Sequence, residues 1–166
     1  MIVAGIDGST KKTGISIMQD GELIFYTLID LSRLTEDTMS RIQKMLFEIG
    51  EVLDGYFIDV VCMEKAFKNS NTQTTMMLAN IAGGVMYYCA KHNIGFTHPE
   101  PSAWRKKIGF HTGRGVKRSE LKAEAVKAVQ NEYGITVGDD VAESVLLARS
   151  AFDLPKINMT EDDLWS

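Results

Sequence analysis

Residues 2–18, IVAGIDGSTKKTGISIM, run apolar, stop at an acid, turn through glycine and serine, and then run apolar again. Aspartate is depleted in strands and costly to bury without a partner, so Asp7 marks the point where a buried strand opens toward solvent. This pattern commits the start of the chain to sheet. Two readings of Asp7 follow. Either it only ends the strand and begins a turn with Gly8, or the fold has placed a carboxylate on the sheet rim to hold a cation or a proton. The stretch alone does not choose between them.

The chain continues as strand and then as helix. Residues 2–7, 14–19 and 22–30 read as strands, with the Asp-Gly of QDGE as the hairpin turn between the last two. A helix starting near Thr35 carries Ile42, Met45, Leu46, Ile49, Val52 and Leu53 at helical spacing. The β-branched run IDVVCM, 58–63, follows that helix and is expected parallel to the first strand. A second helix spans 72–91, with Met77, Ile81, Val85, Tyr88 and Cys89 on one stripe. A brief strand at 94–98 stops at Pro99 and Pro101. Helices at 117–132 and 140–153 complete the order. The expected fold is α/β: a mixed five-stranded sheet, three antiparallel strands then two parallel, flanked by helices.

At 166 residues the chain suits one domain, assigned to 1–153, with 154–166 as an acidic tail ending near Trp165. MIVAGID lacks the basic start of a secretory leader and no window is long enough to span a bilayer. Cys62 and Cys89 lie in apolar segments without metal-ligand spacing, so they read as reduced core residues. A cytoplasmic location, in a bacterial cell or a phage-infected host, is expected. From Arg105 to Lys122 the chain has seven basic residues against one acid, a net of +6, which leaves −10 for the rest of a chain totalling −4. Such a strip is often just a solvated helix face. Here Gly109, Gly113 and Gly115 interrupt it, so a loop that contacts phosphates is the competing reading.

A second acid repeats the first: VVCMEKAF carries an apolar strand straight into Glu64. Parallel neighbouring strands would project Asp7 and Glu64 from one sheet edge, where ligands gather in open α/β sheets. A third acidic group, GDDVAESVLLA, places Asp140 and Glu143 three apart on a helix, on one face, beside an apolar stripe of Val141, Val145, Ala148 and Phe152. Asp139 suits the helix start. Carboxylates crowded together raise one another's pKa unless a cation lies between them, and hard oxygen donors without nearby His or Cys suit Mg²⁺ or Mn²⁺.

The segments GIDGSTKKTGISIM, VCMEKAFKNSNTQTTMMLANIAGGV and DDVAESVLLA together resemble the RuvC-type Holliday junction resolvases of the RNase H-like nuclease superfamily. The resemblance runs from Ile2 to about Phe152. It implies an endodeoxyribonuclease that cleaves four-way DNA junctions, with Asp7, Glu64, Asp140 and Glu143 holding two Mg²⁺ ions and Mn²⁺ able to substitute. The family's last acid is usually aspartate, so Glu143 is a departure, and Asp139 competes with Asp140 for its place. Phe67 corresponds to an aromatic that probes the branch point, and Asn69, Asn71 and Gln73 to strand contacts. Lys107 and Arg118 fall where the family carries basic residues near the scissile phosphate, with arginine at 118 replacing the usual lysine. Arg105, Lys106, Arg114 and Lys117 complete the expected phosphate clamp, and Trp104 reads as core.

Resolving a junction takes two cuts, so a two-fold homodimer is implied. Met76, Gly83, Gly84 and Tyr87, off the core stripe of the 72–91 helix, form its candidate face. Three other readings compete. One is a YqgF-type RNase H-like nuclease acting on RNA. Another is a junction-binding module that does not cleave. The third is the actin and sugar-kinase ATPase group, whose phosphate loop resembles GIDGSTKKTG but which needs two such domains.

Overall fold

The computed structural model of the chain describes residues 1–66, 72–110 and 115–157. Five strands, β1 (Ile2–Asp7), β2 (Lys12–Gln19), β3 (Glu22–Asp30), β4 (Val60–Met63) and β5 (Gly95–Thr97), form one sheet in the order β3-β2-β1-β4-β5. β1 pairs antiparallel with β2, and β2 with β3, whereas β1–β4 and β4–β5 are parallel. The expected mixed sheet is therefore the observed one. At the β2–β3 hairpin, Asp20 and Gly21 take φ of 52° and 93°, the left-handed pair that suits the twist of a two-residue turn.

Helices cover both faces of the sheet. On one face lie α1 (Thr38–Asp54) and α2 (Thr72–Lys91), which bury Ile42, Met45, Ile49 and Leu53 against Ile81, Val85 and Cys89. α1 starts later than the sequence pattern suggested, because Asp37 caps it by accepting from the Met39 and Ser40 N–H groups at 2.9 and 3.2 Å. Gly84 was expected on an outer face of α2, yet a Cβ there would meet Leu46 at 2.5 Å. Its missing side chain serves the α1–α2 contact. Met76 and Tyr87 are exposed, and Gly83 faces open space.

The opposite face carries α3 (Pro101–Ile108), α4 (Arg118–Tyr133) and α5 (Asp139–Arg149). α3 departs from expectation: Pro101, read as a breaker, is the first residue of this helix, where a missing N–H costs nothing. Arg105, Lys106 and Lys107 thus sit in a helical last turn rather than in a loop, and Gly109, at φ 103°, ends it in the left-handed conformation. Beyond it, the Ile157 N–H donates to the Ile108 carbonyl at 2.8 Å and Ile157 is buried. Ile157 is therefore packed onto the domain, whereas residues 154–156 are exposed.

α5 is buried on every side from Val141 to Arg149, not only along the apolar stripe seen in its sequence. Two strand glycines let it lie against the sheet. A Cβ at Gly5 would fall 2.0 Å from the Ser144 carbonyl oxygen, and one at Gly14 would fall 2.0 Å from that of Asp140. Between these contacts, the Ser16 hydroxyl donates to the Ser144 carbonyl at 2.9 Å. Cys62 and Cys89 are buried free thiols, and burial pushes Cys89 up to about 11.

Candidate active site

The sheet brings the first two acids together. Ile6 of β1 pairs with Met63 of β4, so Asp7 and Glu64, one residue further along each parallel strand, leave the same sheet edge. Asp7 also pairs with Gly14 of β2, and Gly14 lies directly beneath the Asp140 backbone. Close approach at one glycine thereby brings the N-terminal turn of α5 over the end of β1. Glu143, one turn further along the helix, is buried.

The electrostatics agree. Desolvation first, and then the charges of Glu143, Glu64 and Asp140, push the Asp7 carboxyl well above the usual carboxylate range, with Lys122 acting against them. Burial likewise raises Glu64, which Arg105 and a hydrogen bond from Trp104 counteract. Asp140 is raised by desolvation and by its neighbour Asp139. Asp139 goes the other way: Lys122 hydrogen-bonds and ion-pairs with its carboxylate, which lowers its pKa. The structure thus separates the adjacent acids. Asp140 shares the field of Asp7, and Asp139 is tied to α4 by Lys122. The N-cap position is Gly138, which has no side chain, and the Asp139 carboxylate also takes hydrogen bonds from backbone N–H groups of the helix start.

Arg105 departs most from expectation. Instead of presenting a cation to solvent, its guanidinium is buried against two of the acids, with Nη2 at 2.5 Å from Glu143 Oε1 and Nη1 at 3.4 Å from Glu64 Oε2. The reason is α3: Lys65 N–H donates to the Pro99 carbonyl at 3.0 Å, and Lys65 Nζ meets Glu100 at 2.7 Å, which fastens the helix start to the end of β4. Trp104, read as core, is buried and also donates its indole N–H to Glu64 Oε2 at 2.6 Å. Neither contact has a sequence signal, since both depend on a helix that the proline pattern concealed.

The remaining basic residues behave as expected of surface cations. Lys106, Lys107, Lys117 and Arg118 are exposed. Gln73 is exposed in the first turn of α2. Phe67, Asn69, Asn71 and Arg114 lie outside the described residues.

Four carboxylates with hard oxygen donors suit Mg²⁺ or Mn²⁺ in kind. Their spacing is another matter: among the described residues, no group of three or more His, Cys, Asp or Glu is arranged to hold a metal ion. Arg105 stands between Glu64 and Glu143. The donor set fits a divalent cation in its chemistry, while Glu64 and Glu143 face the Arg105 guanidinium.

Residues 3–148 match the family described as crossover junction endodeoxyribonuclease RuvC. The chain belongs to the RuvC family. Among its relatives, the crossover junction endodeoxyribonuclease RuvC of Caldicellulosiruptor saccharolyticus is 25% identical over 152 residues, covering 89% of this chain and 90% of that protein. The RuvC of Corynebacterium jeikeium is 26% identical over 151 residues, covering 87% and 89%. Among solved structures, Thermus thermophilus RuvC in complex with a Holliday junction substrate superposes with a TM-score of 0.73 at 16% identity, over 90% of this chain and 91% of that one. The fowlpox virus resolvase, in complex with Holliday junction DNA, superposes at 0.58 and 19% identity, over 91% and 96%. Both likenesses show that this chain shares their fold, the mixed five-stranded sheet flanked by helices. The match across 3–148 favours RuvC over the YqgF and ATPase alternatives.

Proposed function

We propose that this chain is a metal-dependent endodeoxyribonuclease that cleaves four-way DNA junctions. The observation that carries the reading is that Glu64, Asp140 and Glu143 gather around Asp7 at one sheet edge, where burial first and then their charges push its carboxyl above its usual range. The relatives named as crossover junction endodeoxyribonucleases support the substrate class. Asp7, at the centre of the cluster, would hold both of two Mg²⁺ ions, with Glu64 and Asp140 holding one each and Glu143 completing the set; Mn²⁺ would substitute. Divalent ions held there supply Lewis-acid activation of water and charge neutralisation at the scissile phosphate.

The chain's own residues supply the rest. Trp104 fixes the Glu64 carboxylate through its indole N–H. Lys122 keeps Asp139 out of the cluster. Lys106, Lys107, Lys117 and Arg118 offer exposed cations to backbone phosphates. We assign Gln73, with Phe67, Asn69 and Asn71, to contacts with the strands at the branch. Two such sites in a homodimer would place one cut on each of two symmetry-related strands. Exposed Met76, Met86 and Tyr87 on α2 support a face for that dimer.

A cleavage assay on a labelled four-way junction, with linear duplex as control, tests the reading. Native protein and Asp7→Asn are compared in Mg²⁺ and in EDTA. Symmetric, Mg²⁺-dependent nicking by the native protein alone, with junction binding kept by the variant, is expected. Binding without cleavage at any Mg²⁺ or Mn²⁺ concentration would make the protein a junction-binding module instead.

A further inference from the structure

Arg105 is held by more than its charge. Its guanidinium lies 4.4 Å above the Trp104 ring, the same indole whose N–H donates to Glu64. Trp104, Arg105 and Glu64 form a closed arrangement, in which Trp104 stacks under Arg105 and bonds Glu64 while Arg105 reaches Glu64, and Arg105 holds Glu143 as well. Side-chain exposure of 10% for Arg105 and 9% for Glu143 places the Arg105–Glu143 ion pair in the interior. Removing one partner from such a pair strands a buried charge, so the pairing persists unless another cation takes it over.

We propose that Arg105 is the resident counter-cation of the acid cluster, which a divalent ion must displace from Glu64 and Glu143, so that this arginine sets the metal affinity of the site. The inference rests on reading the cluster as a metal site. Its physical basis is competition for the same oxygens. An ion bound to Glu143 and Glu64 beside an undisplaced guanidinium would put like charges in contact at low dielectric. Arg105 is a positioning residue here. It keeps the acids apart and neutralised when no ion is bound, and it opposes metal loading.

Metal binding, rather than cleavage, tests this. In a Trp165→Phe background Trp104 becomes the one tryptophan of the chain, and its emission reports any turn of Glu64 away from the indole. Metal-free protein carrying Arg105, Arg105→Gln or Arg105→Lys is titrated with Mn²⁺, and the Mn²⁺-induced rise in Tm is measured alongside. Removing one competing charge should tighten Mn²⁺ binding of the Gln variant about tenfold, the scale of one neighbouring charge on a carboxylate site. Its Tm should start lower and rise further with Mn²⁺. Lysine keeps the charge without the fork that reaches two acids, so its affinity should fall between the others. If the Gln variant does not fold, tighter binding by the Lys variant carries the same conclusion. Equal affinity in all three proteins, or weaker binding on losing the arginine, overturns the proposal while leaving the metal site standing. Absence of Mn²⁺ binding in every protein overturns both.

Discussion

Gly14 lies under Asp140 so closely that a Cβ on it would come within 2.0 Å of the Asp140 carbonyl oxygen, 2.4 Å of its carbon and 2.8 Å of the Val141 nitrogen. The same glycine is the β2 partner of Asp7. One missing methyl therefore sets the separation of two acids that come from the beginning and the end of the chain. Gly14→Ala must push α5 from the sheet or twist β2. Overpacking of this kind costs about 1–3 kcal/mol, and here the displaced atoms are backbone beside the acid cluster. The expected result is a folded but less stable protein with a far larger loss of Mg²⁺-dependent cleavage than its stability explains. Denaturant melts and cleavage rates on the same preparation check this, and full activity would show that Asp140 does not depend on that seat.

Asp7→Asn should separate stability from function. The native carboxyl is held out of its usual range by desolvation and by Glu143, Glu64 and Asp140, so its charge is a burden on the metal-free fold. A neutral amide of the same shape removes that burden. Metal-free Asp7→Asn should melt higher than native protein at neutral pH, while Mg²⁺ should raise its Tm less and support no cleavage. A lower metal-free Tm for the variant would contradict this account of the cluster.

How much of this was legible beforehand depended on the kind of signal. Asp7 and Glu64 could be found because each ends an apolar strand, and parallel pairing then puts both on one edge. The sheet followed from strand patterns and an Asp-Gly turn, since these are local. α3 was hidden because Pro101 breaks a helix in its interior and begins one at its first turn, and the residue type alone does not say which. With α3 went the roles of Trp104 and Arg105, which only its packing against β4 reveals. The full burial of α5 had a signal in Gly5 and Gly14, glycines inside strands that mark close backbone approach. A helix stripe read by itself does not report what lies on its other faces.

Asp139 and Asp140 are adjacent but should respond differently. Lys122 ion-pairs with Asp139 and lowers its pKa, whereas Asp140 acts on Asp7. Asp140→Asn should reduce cleavage at least about a hundredfold, the scale of losing one electrostatic stabiliser at a reacting centre. Asp139→Asn should shift the Mg²⁺ dependence only slightly, because the half-exposed pair it removes carries little energy and its charge acts on Asp140 only as a neighbour. Lys122→Met should do more harm than Asp139→Asn, since it frees the Asp139 carboxylate to crowd Asp140. The ranking of the three variants in one Mg²⁺ titration is the check.

Asp37 gives a pH dependence away from the cluster. Hydrogen bonds from Ser40, side chain then backbone, hold its carboxyl below the ordinary range. A group whose folded-state pKa is depressed adds stability above its unfolded pKa, about 3.9 for aspartate, and loses it as pH falls through the folded value. Asp37→Ala should therefore lower Tm at neutral pH, and its deficit should shrink as the pH is taken below about 4. Melting curves of both proteins from pH 7 downward, about 0.5 units apart, test the cap. A deficit independent of pH would mean that helix propensity and not the carboxylate is responsible.

The exposed cations Lys106, Lys107, Lys117 and Arg118 should act on junction affinity through salt. Each phosphate contact adds about 0.9 to the slope of log K against log salt on duplex DNA. Replacing any one of the four by glutamine should lower that slope by about one contact's worth and weaken binding similarly for every flanking sequence. Arg105→Gln should not do this, since its guanidinium faces Glu64 and Glu143 instead of solvent. Junction binding in Ca²⁺, chosen so that affinity is read without turnover, gives the slopes over a salt series. If Arg105→Gln lowers the slope as much as Lys107→Gln does, the arginine reaches a phosphate in the complex and has left its acids to do so.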